Sequence, residues 1–380
     1  MEYGKDDVLR LAKRLNNPKR AYLLVNPLQG KHVPVHPAAA LAMMRALGEK
    51  LFGRFPDARL VIGFAETATA VGAAVAACFP DGCVYVHTTR EELAPDTKWI
   101  RFQEEHSHAA DQKLCADDLR AWIRDTPRVI LVDDELSTGK TVRNMVGQMR
   151  RMIPEMRDKP VVAASIINRV SDEDEAKLLA EGIVCEYLVH VPNEDYTARV
   201  MGYRTESPVD RRTAPVPAGD VRIETFDLRN VDSRKGVVVG EYRRACREAV
   251  DAMMPRIRES LGRNMRVLVL GTEEFMFLPL RLAYEIERGG LAKEVFFHAA
   301  TRSPIEISQS PGYPLFNGYR TASFYEDGRD TYVYDLAGYD MAVVWTDSRM
   351  CPRAAVDSFA SALRENGCKN MMLFTGGGYV

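Results

Sequence analysis

The sequence predicts an α/β protein of two domains, each a parallel sheet flanked by helices. Three observations carry that prediction. Short aliphatic runs such as "RVILVDD" and "MRVLVLG" alternate with longer amphipathic stretches, the rhythm of buried strands joined by crossover helices. The chain has 380 residues, enough for two domains of ordinary size. A stretch near residues 203 to 220, "YRTESPVDRRTAPVPAGD", breaks the rhythm once with Pro208, Pro215, Pro217 and scattered charge. The expected division is a first domain over 1–205, a linker over 206–220 and a second domain over 221–380.

The elements follow in order. "AYLLVN" opens as a strand, and "PAAALAMMRALGEKLFG" follows as a helix with Pro37 in its first turn, where a missing N–H costs nothing. "RLVIGFA" is the next strand and "ATAVGAAVAACF" the next helix. "CVYVHTT" is a strand that enters a long polar segment. "RVILVDD" is a strand and "TVRNMVGQMRRMI" a helix; "VVAASII" and "IVCEYLVHV" complete the first half. After the linker come the strands "MRVLVLG", "EVFFHAA", "MAVVWTD" and "NMMLFTGGG", with helices at "LPLRLAYEIERGG" and "AAVDSFASALREN".

Composition narrows the class. The apolar fraction is 46%, the charged fraction 27% and the net charge -2, values of a globular protein without the basic excess of a nucleic-acid binder. No apolar run is long enough for a membrane span, and the charged start "MEYGKDDVLRLAKRLNN" has no signal-peptide core. Seven cysteines without a C-x-x-C pair fit a reduced, cytoplasmic protein better than a disulfide framework or a zinc site. The expected partners are therefore small molecules, with neither nucleic acid nor membrane among them, and the sequence allows a homodimer.

The most informative stretch is "VILVDDELSTGKT", Val129 to Thr141. A P-loop needs a glycine five residues before Gly139, and Asp134 stands there, so a nucleoside triphosphatase is disfavoured. A strand ending at Val132 would put Asp133 and Asp134 at the carboxyl edge of a sheet, where open α/β proteins bind ligands. Ser137, Thr138, Gly139, Lys140 and Thr141 would form a turn into a helix, offering N–H groups and hydroxyls to a phosphate. Carboxylates beside such a turn make sense facing sugar hydroxyls or a metal ion. The bland alternative is an acidic strand-to-helix turn with a capped helix.

The stretch resembles the phosphoribosyl pyrophosphate (PRPP) motif of type I phosphoribosyltransferases, in its strand, its acidic pair and its Ser-Thr-Gly-x-Thr turn. Glu135 departs from that pattern, where a small aliphatic residue is usual; it either changes the packing or adds a metal-facing carboxylate. The resemblance implies a type I phosphoribosyltransferase fold, a parallel sheet with helices and a flexible loop, using Mg2+. It implies that Asp133 and Asp134 hold the ribose hydroxyls and the metal, and that Ser137 to Thr141 hold the 5-phosphate. It also implies a pyrophosphate loop, for which Ala65, Glu66, Thr67, Ala68 and Thr69 of "GFAETATAVG" stand in place; Thr67 or Thr69 would serve equally as a helix cap. A mobile loop over Thr88 to Lys113 would bring Arg90, Lys98, Arg101, His106 and His108 to the reacting carbon, and "EEHSH" there also reads as a metal cluster or a solvated loop. "LLVNPLQGKHVPV" is similar to the entry segment of orotate-type members, which would place Lys31 and His32 in a base pocket. Ser137 stands where relatives acting on 6-oxopurines carry an aspartate, which points away from hypoxanthine and guanine as acceptors.

In the second half, "HAATRSPIEI" contains Thr301-Arg302-Ser303-Pro304 and resembles the TRSP domain, whose usual neighbour is a phosphoribosyltransferase of bacterial tellurium-resistance gene clusters. The resemblance implies a Rossmann-like α/β domain and a role in making a nucleotide-like metabolite. From the residues alone, Gly271 and Thr272 follow one strand, and Thr301, Arg302 and Ser303 follow another. They could grip a phosphate or carboxylate, or Arg302 could be a helix-cap or surface ion-pair residue. "GTEE" holds a single glycine, so no dinucleotide fingerprint is present. The expected activity is transfer of a 5-phosphoribosyl group from PRPP to an unidentified base. A PRPP-binding regulator and the reverse pyrophosphorolysis of a nucleotide are the rival readings.

Overall fold

The computed structural model describes residues 2–17, 20–93, 95–102, 112–212, 221–226, 232–368 and 370–376. The chain forms two compact units, each assembled from three segments. The first comprises Met1–Lys5, Ala42–Glu194 and Asn230–Ala245; the second comprises Asp6–Leu41, Asp195–Arg229 and Cys246–Val380. Three segments thus lie across the expected division: residues 6–41 and 195–205 belong to the second unit and 230–245 to the first. Of the expected linker, Val209–Asp210 pairs in parallel with Tyr319 and Arg320 of the second unit, and 213–220 lie outside the described residues.

The first unit is built on a six-stranded sheet in the order Val237–Val238, Val84–His87, Leu60–Gly63, Val129–Leu136, Val161–Asn168, Ile183–His190. Five strands are parallel, and Val237–Val238 closes one edge antiparallel to Val84 and Tyr85. Val161–Asn168 is buried at every position, as a central strand covered on both faces requires. Helix Lys140–Met152 buries Val142, Met145, Val146 and Met149, the i, i+3, i+4, i+7 stripe that its sequence displays. Helix Asp172–Ala180 starts at Ser171, whose hydroxyl accepts from the Asp174 amide at 3.2 Å.

The second unit holds a five-stranded, all-parallel sheet in the order Arg222–Phe226, Asn370–Gly376, Met341–Thr346, Arg266–Gly271, Glu294–Ala299. The connections from Arg266–Gly271 and from Met341–Thr346 run to opposite sides, so the order reverses between these two strands. Helices Phe277–Arg288 and Arg353–Glu365 each bury one apolar face. No helix among the described residues is long and apolar enough to cross a membrane.

Two local expectations change, and one helix has no counterpart in the sequence reading. The "AYLLVN" strand, Tyr22–Val25, pairs antiparallel with Arg10–Lys13 in a two-stranded ribbon of the second unit, not within a parallel sheet. Its apolar run declares a strand but carries no information on its partner. The polar segment after Thr88 contains a hairpin, Trp99–Phe102 with Gln112–Cys115, that the surrounding charge conceals. Helix Val239–Ser260 has Pro255 inside it, a residue that argues against helix when read locally.

Candidate active site

Strand register assembles the site. Leu60–Gly63 pairs with Val129–Leu136 from Leu60↔Val129 to Gly63↔Val132 and then ends. The Phe64 amide donates to the Val132 carbonyl at 2.9 Å, and the chain turns away through 65–68. The longer strand continues on its other side, pairing Asp133 with Ser165 and Glu135 with Ile167. Asp133 and Asp134 therefore stand where the neighbouring strand has given way to a loop, and both are half-buried. The Asp133 carboxylate accepts the Asp134 amide at 2.9 Å, which fixes its orientation.

The turn that follows is made by Ser137, Thr138 and Gly139. Gly139 has φ 72° and precedes helix Lys140–Met152. A Cβ there would lie 2.7 Å from Leu178 Cδ1, so both conformation and space require glycine. The Thr138 hydroxyl accepts the Lys140 amide at 3.3 Å, and Thr141 opens the helix half-buried. A helix of 13 residues with no side-chain cap presents its positive end at this turn.

The loop 65–68 is braced from beneath. The Ala65–Glu66 peptide is cis. The Ala65 amide donates to Thr88 Oγ1 at 2.8 Å, the Thr88 hydroxyl donates to Gln112 Oε1, and the Gln112 amide donates to the Ala65 carbonyl. Thr88 and Gln112 are both buried, as are Ala65, Glu66, Ala68 and Thr69, while Thr67 is half-buried. Tyr85 Oη donates to the Thr69 carbonyl at 2.7 Å and holds the start of helix Thr69–Ala76. Thr88 and Gln112 went unremarked in the sequence; their partners lie 23 and 47 residues away, and no local pattern announces them.

The remaining expected residues divide. Arg90 is half-buried, and Lys98 and Arg101 are exposed on or beside the Trp99–Phe102 hairpin strand. Ile100, Phe102 and Leu114 anchor that hairpin in the core. His106 and His108 lie outside the described residues. Lys31 and His32 are buried members of the second unit. The Lys31 ammonium donates to the Glu273 carbonyl at 2.7 Å and the Ala300 carbonyl at 2.8 Å. Gly271 ends one strand of that unit, with Thr272 next to it; Thr301, Arg302 and Ser303 follow another strand.

Glu135 takes the packing alternative. Its carboxylate pairs with Arg169 Nη1 at 3.1 Å, and the Arg169 side chain is 1% exposed. Arg169 Nη2 also donates to the Glu194 carbonyl at 2.6 Å. The unusual acid is the counter-ion of a buried arginine that follows the adjacent strand.

Residues 232–245 pack against this same unit. Asp232 accepts Arg234 Nε at 2.7 Å. Burial opposes its ionisation, but the Arg234 charge and hydrogen bond, with His87 nearby, hold its carboxyl below the usual range.

A parallel sheet whose carboxyl edge joins an acidic pair, a glycine turn and a braced loop defines an α/β domain with its candidate site at the strand ends. The chain is a phosphoribosyltransferase domain followed by a TRSP domain. Residues 8–191 match the family described as phosphoribosyl transferase, and 232–363 match the TRSP domain found C-terminal to it. Among solved structures, the adenine phosphoribosyltransferase of Rhodothermus marinus DSM 4252 is similar at 17% identity, covering 49% of this chain and 96% of that one, with a TM-score of 0.34. The Giardia lamblia enzyme complexed with 9-deazaadenine is similar at 15% identity, covering 48% and 93%, with a TM-score of 0.32. No curated protein matches the chain.

Proposed function

We propose that the first unit transfers the 5-phosphoribosyl group of PRPP to a nitrogen of a base, releasing pyrophosphate. The observation that carries this reading is the register that sets Asp133 and Asp134 between the 65–68 loop and the Gly139 turn. In the proposal, Asp133 and Asp134 accept the ribose hydroxyls. Ser137, Thr138, Gly139, Lys140 and Thr141 receive the 5-phosphate through amides and hydroxyls at the helix start. Ala65 to Thr69 take the pyrophosphate, with Thr88 and Gln112 as positioning residues. Arg90, Lys98 and Arg101 neutralise the leaving group as the C–O bond breaks and its electron pair departs with pyrophosphate. The ring then carries positive character until the base nitrogen bonds to the anomeric carbon, so most of the work is positioning.

Magnesium fits this donor set. The ion takes one or two carboxylates together with substrate oxygens, and Asp133 and Asp134 are adjacent, half-buried carboxylates. When bound it would supply charge neutralisation to the pyrophosphate. Seven cysteines without a C-x-x-C pair fit a reducing compartment such as cytoplasm. The product is sought in a tellurium-resistance setting, as the resemblance of the Thr301–Pro304 stretch to the TRSP domain implies.

The test is pyrophosphate release from PRPP across a panel of bases, with Asp133→Asn/Asp134→Asn as the control. Losing two charge-assisted hydrogen bonds of about 1.5–3 kcal/mol each lowers PRPP affinity at least ~100-fold. The circular dichroism spectrum should not change. Retained affinity in that variant refutes the assignment.

A further inference from the structure

The second unit concentrates charge where its sheet order reverses, the crevice in which open α/β sheets take ligands. Two adjacent residues after strand Arg266–Gly271 organise it. Glu273, 1% exposed and with φ 49°, receives Arg302 Nε at 2.5 Å, Arg329 Nη1 at 3.0 Å and the Ser323 hydroxyl at 2.5 Å on its carboxylate. Its carbonyl accepts the buried Lys31 ammonium, which ties this loop to Ala300 at the end of the next strand. Thr272 Oγ1 lies 2.8 Å from Tyr325 Oη, which donates to Asp347 Oδ1 at 2.6 Å. Asp347 directly follows strand Met341–Thr346.

These groups form two layers. Lys31 and Glu273 are fully buried and hold the others in place. Arg302, Arg329 and Asp347 keep partial access, the two arginine side chains at 14% and 17% exposure. Glu274 approaches Arg302 at 3.5 Å from the buried side, and Glu326 meets Arg329 at the exposed rim. Burying this many ionised groups is costly for a fold, and a non-glycine residue at positive φ in their midst adds strain of the kind found at binding sites. The accessible layer holds two guanidinium groups, oriented by Glu273 and flanked by Glu274 and Glu326, and one carboxylate that accepts the Tyr325 hydroxyl. Forks suit a phosphate, and a carboxylate suits vicinal hydroxyls.

We propose that this crevice is a second binding site, specific for a phosphorylated ribose compound, with Arg302 and Arg329 on the phosphate, Asp347 on the hydroxyls and Lys31 as a positioning residue. The site stands on the second unit alone; only its link to the product of the first unit rests on the proposed transfer. The N-terminal segment is an integral part of it, because Lys31 comes from residues 6–41.

The experiment uses the full chain carrying Asp133→Asn/Asp134→Asn, which removes the ribose acceptors proposed for the first unit; binding that persists at its Ser137–Thr141 turn is recognised by its indifference to changes at Arg302, Arg329 and Asp347. Calorimetric titration with ribose 5-phosphate, AMP, inorganic phosphate and ribose is compared with the same chain bearing further changes. Ribose 5-phosphate and AMP should bind, and Arg302→Gln/Arg329→Gln should weaken both at least ~10-fold. Asp347→Asn should weaken both while leaving inorganic phosphate unchanged. Arg329→Lys, which keeps the charge and loses the fork, covers the case in which the double variant does not fold. No binding of either phosphorylated probe, or binding indifferent to Arg329→Lys and Asp347→Asn, overturns the proposal. Failure of the transferase reading would appear separately, as absent pyrophosphate release by the unaltered chain.

Discussion

Glu135→Ala tests the reading of the one residue that departs from the PRPP pattern. Glu135 is the counter-ion of Arg169, whose side chain is 1% exposed, at 3.1 Å. Removing one member of a buried pair leaves an uncompensated charge and costs about 3–5 kcal/mol. The Glu194 carbonyl still accepts Arg169 Nη2, which puts Glu135→Ala near the lower end, about 3 kcal/mol. Glu135→Gln keeps an acceptor and costs about 1–3 kcal/mol. Glu135→Leu/Arg169→Met removes both charges and should cost less than Glu135→Ala alone. The assay is urea denaturation followed by circular dichroism, with magnesium dependence of pyrophosphate release measured on the Gln variant. A loss below about 1 kcal/mol for Glu135→Ala would refute the buried-pair account. A Gln variant that folds normally but needs far more magnesium would restore the metal-facing alternative.

Three other outcomes follow from the same geometry. Gly139→Ala forces a Cβ into positive φ and against Leu178; conformational strain of about 1–2 kcal/mol plus overpacking of about 1–3 kcal/mol should destabilise the first unit and raise the KM for PRPP, and the Leu178→Ala background should relieve the overpacking part. Thr88→Val takes the Thr88 hydroxyl from the Ala65 amide and from Gln112 Oε1; since Thr88 is buried, a rise of about tenfold in the KM for PRPP would report a displaced loop, and an unchanged KM would remove Thr88 from the site. His298, fully buried with Nδ1 3.1 Å from the Gly30 carbonyl, has its pKa lowered by burial from 6.5 to about 4. The unfolded chain then binds more protons between pH 6.5 and pH 4, so stability is present above 6.5 and declines as pH falls toward 4. The expected loss between pH 7 and pH 5 is about 2 kcal/mol, read as a drop in urea midpoint that His298→Gln removes.

The sequence by itself determined the α/β alternation, the strand-to-turn order at Asp133–Thr141 and the two family identities. Each is written in contiguous residues: an apolar run sets a strand, and a glycine at positive φ sets a turn. Tertiary structure alone decided which strand end faces which. It put the 65–68 loop beside Asp133 through a register shared by strands nearly seventy residues apart, gave Glu135 to Arg169, and assigned Lys31 to the second unit. Local periodicity specifies that a segment is buried, while the identity of its neighbour follows from packing and hydrogen bonding between distant segments, which no short window contains.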